Sequence, residues 1–393
     1  MAHFEVQIIK LVQGVKTRKS CAVYNTETHV IEVAVTAYLT YMIKTGLKWK
    51  TVYNAASTIK TLLNAVEADP KIDSWYDLTD ENMSAYISGI LYGQMMIKPS
   101  TLDVYITRLK SFFDWVYENG WVEESMGFSY KITSEELREL MAFNSGKKNS
   151  LDPYSLGGRY IPSEDFETLL SYKGAQGTFE RERDDIILKL GYYSGFRAGE
   201  VVDPLNMSIV KIKTSIARSK KKAGVSGIPM EGFEMTIIGK GQGAGKPRTI
   251  SIPQDLQNQI ERFISITHKI SGGDLLICSR EGKVLRDGHA TDVFTDAKKN
   301  IAKHADIEIV KIWQANDENW TYHALRHCFA TNLCELCRLY NVSYEHVRER
   351  MGHEDFETTK IYIAFNAKLQ GVMDEFYEYL PNRKRKEAVN VGG

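Results

Sequence analysis

Apolar residues spaced three and four apart run through the first third of the chain, the interval that places side chains on one face of a helix. Val52, Ala55, Ala56, Ile59, Leu62 and Leu63 form such a stripe and predict a helix from Thr51 to Ala68. Val33 to Lys44 reads as a helix before it, and Thr79 to Gly93 as one after it, with Asp80 and Glu81 in its first turn. A fourth helix is expected to begin at Ser100, as an N-cap behind Pro99, to carry Leu102, Tyr105, Ile106, Leu109, Phe112, Phe113 and Val116, and to stop at Gly120. These segments predict a small helical bundle over residues 31–145, after an N-terminal extension of residues 1–30 in which Phe4 to Leu11 can form a strand. The stretch from Ser145 to Gly158 is polar and glycine-rich, and residues 146–159 read as a linker.

Beyond the linker the pattern changes. Ile161-Pro-Ser-Glu-Asp-Phe-Glu opens a helix, and residues 160–380 read as mainly helical. Short strands are expected near Ser208 to Lys213, Met235 to Lys240, Arg248 to Ile252 and Leu275 to Cys278. Lys368 to Leu380 is an amphipathic helix with Leu369, Val372, Met373, Phe376 and Tyr377 on its apolar stripe, and residues 381–393 are a basic tail. The predicted fold is mainly α with a small β-sheet: an N-terminal helical domain and a second, mixed α+β domain.

Five positions in the second domain carry chemistry as a set. Gly191-Tyr-Tyr-Ser-Gly-Phe-Arg197-Ala-Gly-Glu200 is an apolar helix end, a turn at Gly195, and an arginine where a new helix starts. Tyr322-His323-Ala-Leu-Arg326-His327-Cys-Phe-Ala-Thr331 is helical in period, so His323 and Arg326 share a face. Met351-Gly352-His353 marks a break, and a polar run then leads to Lys360-Ile-Tyr362. Two guanidiniums suit the non-bridging oxygens of a phosphodiester, whose transition state gains negative charge. A tyrosine hydroxyl titrates near pH 10, so as a nucleophile it needs a proton acceptor or a positive field, and His323 and His353 can supply either.

With these motifs in this order, Ser194-Gly-Phe-Arg197-Ala-Gly-Glu200, His323 through Thr331, Gly352-His353 and Thr358-Thr-Lys-Ile-Tyr362, the chain resembles the tyrosine recombinases of the phage-integrase family over about Val33 to Leu380. The resemblance implies a core-binding (SAM-like) DNA-binding domain over 31–145 and a catalytic domain over 160–380. It implies cleavage and rejoining of DNA strands through a 3′-phosphotyrosyl intermediate, without metal or cofactor. Arg197, Lys240, His323, Arg326, His353 and Tyr362 would be the catalytic residues. Double-stranded DNA would be the partner, with a homo-oligomer assembled on it, a tetramer in the synaptic complex. The family's usual proton donor to the leaving 5′ oxygen is a lysine, which points to Lys240, at the end of a strand in a glycine-rich hairpin. The loop is longer than the family's usual one, and Lys246 competes for the role. A type IB topoisomerase and a DNA-binding relative without activity are the alternatives. Lys368 to Leu380 would dock on its own domain or on a neighbouring subunit.

Composition adjusts this picture in a few places. Lysine plus arginine and aspartate plus glutamate number 50 each, so DNA binding has to come from local basic surface, as at Lys16 to Lys19, Lys44 to Lys50, Arg218 to Lys222, Lys240 to Arg248 and Arg383 to Lys386. The run from Arg218 to Lys222 reads equally as a solvated loop or a phosphate contact. His323 and His327 have the four-residue spacing of a zinc motif, but Ala324 stands where that motif needs glutamate, and Arg326 lies between them. Five cysteines make no disulfide framework, and Cys334 and Cys337 fall in an apolar helical run, as reduced core residues. Without a signal-peptide pattern or a run of about 18 uncharged apolar residues, the expected compartment is the cytoplasm, with no membrane association.

Overall fold

A computed structural model of the protein describes residues 3–13, 16–126, 154–174, 177–227, 229, 231–239, 245–268 and 273–371. The chain divides into two compact units, Met1–Ser150 and Leu151–Gly393.

In the first unit, α1 (Val33–Lys44), α2 (Trp49–Ala68), α3 (Asp80–Ala85) and α4 (Pro99–Glu118) form the helical bundle. Leu39, Ile59, Leu62, Met83, Ile87, Leu91 and Phe112 are fully buried at its centre. Thr79 caps α3 in a reciprocal box with Asn82, and the helix then widens into a π-helical stretch over Tyr86–Gln94. The fourth helix starts at Pro99 with Lys98 as its N-cap, not at Ser100, because the fixed φ of proline suits the first helical position.

The N-terminal extension is an antiparallel hairpin of β1 (Phe4–Gln13) and β2 (Lys16–Asn25), packed on α1 and α2. Only part of β1 was legible as a strand. Ser20, Cys21, Ala22 and Val23 are all buried, so β2 has apolar or small residues on both faces and lacks the alternation of a half-exposed strand.

The second unit is built on α7 (Thr178–Ser194). Before it come α5 (Tyr154–Gly157) and α6 (Ser163–Ser171). After it come the short α8 (Ala198–Val201), α9 (Ile209–Ser226), the hairpin of β3 (Phe233–Ile238) and β4 (Pro247–Ile252), and α10 (Gln254–Arg262). The unit continues through α11 (His289–His304), α12 (Ile307–Ala315), α13 (Tyr322–Leu339), α14 (Glu345–Met351) and α15 (Glu357–Leu369).

Helices α7 and α13 cross closely: the Tyr322 hydroxyl donates to the Ile187 carbonyl at 3.0 Å. A Cβ on Gly191 would come within 3.1 Å of Leu325 Cδ1. This crossing fixes the helix ends on which the site is assembled.

Three expectations fail here. Ser208 to Lys213 is not a strand but the start of α9: Ile209, Ile212 and Ile216 are its buried stripe, Ser208 Oγ accepts from the Lys211 N–H, and Gly227 ends it at φ 68°. The Val-Lys-Ile-Lys alternation of residues 210–213 imitates a strand, but the longer window has helical period. The basic run from Arg218 to Lys222 is therefore helical, not a loop. Leu275 and Cys278 make only isolated bridges, to Ser208 and Val284. Of the helix expected from Lys368 to Leu380, Lys368 and Leu369 instead close α15; residues 372–380, Lys240 and residues 146–153 of the linker lie outside the described residues.

Candidate active site

Two glycine breaks, together with strand β4 and helices α13 and α15, bring the site together. Helix α7 ends at Gly195, whose φ is 67°, and a Cβ there would lie 2.4 Å from the Phe329 ring, so both conformation and space require glycine. The turn delivers Arg197 as the N-cap of α8, where its backbone N–H donates to Glu200 Oε2 and its Nη1 to Glu200 Oε1, each at 2.8 Å. The same carboxylate accepts from Arg248 Nη1 at 2.6 Å and Nη2 at 2.7 Å. Arg248 sits on β4 at an inward-facing position shared with Ile250 and Ile252.

Arg326, on α13, is 2% exposed and donates to the carbonyls of Gly195 and Met351. The Gly195 carbonyl also accepts from Arg248, so one backbone oxygen meets two guanidiniums. Gly352 ends α14 at φ 63° and delivers His353, whose Nδ1 is 2.9 Å from Thr359 Oγ1. Its ring packs parallel to that of Tyr362 on α15, with centroids 5.9 Å apart. Tyr362 is 5% exposed, and its hydroxyl is 2.8 Å from Nδ1 of His327.

Charge follows from this packing. Burial by itself would raise the Glu200 carboxyl, but hydrogen bonds from Arg248 and the charges of Arg248 and Arg197 outweigh it and hold the group at about 2. Burial, followed by the charges of Arg248 and Arg197, lowers Arg326 to about 9, which leaves it a cation at neutral pH. Burial and the arginines lower His353 to about 4. Burial is again the main cause for His327, with His323, Arg159, Arg326 and His353 adding to it, and lowers that ring to about 3. Tyr362 is pushed up to about 12 by burial, against the opposing pull of Arg326, Arg159 and Arg197. At neutral pH the cluster thus holds three guanidiniums, with that of the exposed Arg159 beside them, one carboxylate, two neutral imidazoles and a protonated phenol: a net positive site. Arg197 is its opening to solvent, with a side chain 30% exposed.

Arg197, Arg326, His353 and Tyr362 are therefore brought together. His323 lies on α13 one turn before His327, exposed, with its ring 4.6 Å from that of His327. Lys246 is exposed and ion-paired with Glu354, next to His353. Cys334 and Cys337 are buried free thiols in the cluster that packs Tyr362.

Sequence reasoning passed over Glu200, Arg248, His327 and Arg159 as site residues. Two had a signal: Glu200 stands three residues after Arg197, as in a capping box, and Arg248 occupies the inward register of an alternating strand. His327 stood out only as one half of a zinc-like spacing and Arg159 not at all, since the packing of α15 is what brings Tyr362 to them.

Several known proteins share this architecture. Tyrosine recombinase XerD of Rickettsia bellii is 23% identical over 276 residues, 67% of this chain and 81% of its own. Tyrosine recombinase XerC of Roseiflexus castenholzii is 24% identical over 304 residues, 75% and 77% of the two chains. A crystal structure of XerH site-specific recombinase bound to palindromic difH substrate, a post-cleavage complex, has a TM-score of 0.56 at 17% identity, covering 84% of this chain and 80% of its own. A lambda integrase tetramer bound to a Holliday junction has a TM-score of 0.51 at 15% identity, covering 84% and 76%. At such identities the structures speak for the fold. The sequence pattern of the phage integrase family matches residues 159–368, more than half of the 393, and encloses every residue of the cluster. The chain belongs to that family, the tyrosine recombinases, enzymes that cleave and rejoin DNA strands.

Proposed function

We propose that the protein is a site-specific DNA recombinase in which Tyr362 attacks a backbone phosphorus and forms a 3′-phosphotyrosyl link, which the 5′ hydroxyl of a partner strand then reseals. The observation that carries the reading is that Tyr362, ring to ring with His353, lies in the field of Arg326 and Arg197, and His353 in that of Arg326, Arg197 and Arg248, all from separate segments of a site with net positive charge. Arg197 and Arg326 would bind the non-bridging oxygens, where fixed guanidinium donors gain strength as charge builds in the transition state. Arg248, held on Glu200, would add to that field and set the angle of Arg197. His323, exposed beside the cluster, and His353 would hydrogen-bond the phosphate. Lys240 would protonate the leaving 5′ oxygen, and the engagement of Lys246 by Glu354 favours Lys240 for the role. The helical unit, residues 31–145 in our reading, would grip the duplex as a core-binding domain. Protomers would assemble on DNA, as a tetramer at synapsis, in the manner of the lambda integrase complex.

The test is a nicked suicide substrate that traps the covalent step. The wild type should form an SDS-resistant DNA adduct on the peptide that carries Tyr362, and Tyr362→Phe should bind DNA equally and form none. An adduct with the Tyr362→Phe variant would overturn the assignment. Recombination between two sites, compared with relaxation of one plasmid, separates a recombinase from a topoisomerase.

A further inference from the structure

The nucleophile has a partner that its reaction needs. A phenol held up at about 12 carries its proton at neutral pH, and the proton must leave as the oxygen bonds to phosphorus. No carboxylate hydrogen-bonds the Tyr362 hydroxyl among the described residues; the acceptor in contact is Nδ1 of His327, at 2.8 Å. In its Nε2–H tautomer the neutral His327 ring accepts from the Tyr362 hydroxyl at Nδ1, and this is the form the attack requires. His353 meets Tyr362 ring to ring, and its Nδ1 is engaged with Thr359. His323 sits one turn away, beyond His327.

We infer that His327 is the general base of the reaction, the group that takes the proton of Tyr362 as it attacks. The inference rests on Tyr362 being the nucleophile. The step balances: the bond from Tyr362 Oη to phosphorus forms, the bond from phosphorus to the 5′ oxygen breaks, and the tyrosine proton becomes the Nδ1 proton of an imidazolium. The 5′ oxygen takes its proton from the general acid. In rejoining, the 5′ hydroxyl bonds to phosphorus and gives its proton back to the group that served as general acid, the phosphotyrosyl bond breaks, and His327 returns its proton to Tyr362.

The groups facing His327 make this step dependent on substrate. In the free protein, burial and the charges of Arg326 and Arg159, with His323 and His353, keep its basicity low. A bound phosphodiester brings at least one negative charge to the arginines and cancels part of that field. Basicity at Nδ1 therefore rises when DNA is in place, and the tyrosine becomes reactive only there.

The experiment uses the full chain and the nicked suicide substrate, with His327→Gln, His327→Ala and His323→Gln beside the wild type. His327→Gln keeps a hydrogen-bonding side chain of similar reach but cannot take a proton at this pH. Its adduct formation at neutral pH should be about 10²–10⁴-fold slower, with unchanged DNA affinity. Its rate should keep climbing about tenfold per pH unit through the range in which the wild type levels off, because hydroxide then does the work. Added imidazole should restore part of the rate of His327→Ala, and His323→Gln should keep the wild-type pH profile. Adduct formation by His327→Gln at the wild-type rate would overturn the inference. So would a slow rate with the wild-type pH profile, which marks a structural role, or a faster one, which marks a bond that merely parks the tyrosine. Should His327→Ala fail to fold, His327→Gln decides alone. If Tyr362 were not the nucleophile, the wild-type adduct would map to another peptide, an outcome distinct from all of these.

Discussion

Replacing Glu200 with glutamine tests the electrostatic account of the site through stability alone. The carboxylate is 6% exposed, accepts from Arg197 and twice from Arg248, and is held at about 2 against an ordinary 4.5. At 1.36 kcal/mol for each tenfold, that difference corresponds to about 3 kcal/mol of folding free energy. Its sign follows from the direction: a carboxyl depressed in the folded state contributes fully above its unfolded value, near 4.5, and loses the contribution as the pH falls toward 2.

Glutamine copies the protonated acid. Glu200→Gln should therefore be less stable than the wild type by about 3 kcal/mol at pH 6 to 7, with the gap closing between about pH 4.5 and 2. Hydrogen exchange of the α7 and α13 amides at rising urea, wild type and variant side by side at each pH, reads the gap for this unit and cancels what every other carboxylate contributes. A gap that stays constant down to pH 2, or one below about 1 kcal/mol at pH 7, would refute the ion-pair account.

Other perturbations address the chemistry and the scaffold. Arg197→Ala and Arg326→Ala should each slow adduct formation by about 10²–10³ while DNA affinity, measured by titration, changes far less; equal losses in both would make them binding residues. If Lys240 is the general acid, Lys240→Ala should be badly impaired on the normal substrate and nearly restored on a 5′-bridging phosphorothioate, whose leaving thiolate needs no proton. Lys246→Ala, which frees only an exposed pair with Glu354, should show little defect and no such rescue, and rescue there would move the role to it. Gly195→Ala forces a side chain into the left-handed region and against Phe329, and should lower the melting midpoint by roughly 5–15 °C; a shift under about 2 °C would mean that the ring gives way.

What could be read from the sequence was local. The turn at Gly195, the helix that carries His323 and Arg326, and the break at Gly352 are each written within ten residues, and each holds in the structure, although His323 is exposed and Arg326 buried. Helices with a long apolar stripe, such as α2, were legible to within two residues, whereas Ser208 to Lys213 imitates a strand because its helical period shows only once Ile216 is included. The partnership of Glu200 with Arg248 spans 48 positions and depends on β4 lying against α8, which no window of sequence contains. His327 shows the same limit from the other side. Its motif drew attention as a metal question, and its neighbour Tyr362, 35 residues on, is set by how α15 packs against α13. Long-range packing decides which of several candidate side chains touch, and local periodicity carries no trace of it.

The carboxylate shared by Arg197 and Arg248 also bears on how such a chain can drift. A change at position 200 strands two guanidiniums at once, and a lysine at 248 replaces a planar fork with a point charge that cannot span both oxygens. Added bulk at 195 displaces the carbonyl that Arg248 and Arg326 share. Positions 195, 197, 200, 248 and 326 are thus bound into one heritable unit, within which single substitutions are penalised and only concerted ones are open. Because the unit also holds the fold, a lineage that loses strand exchange should keep these five positions together.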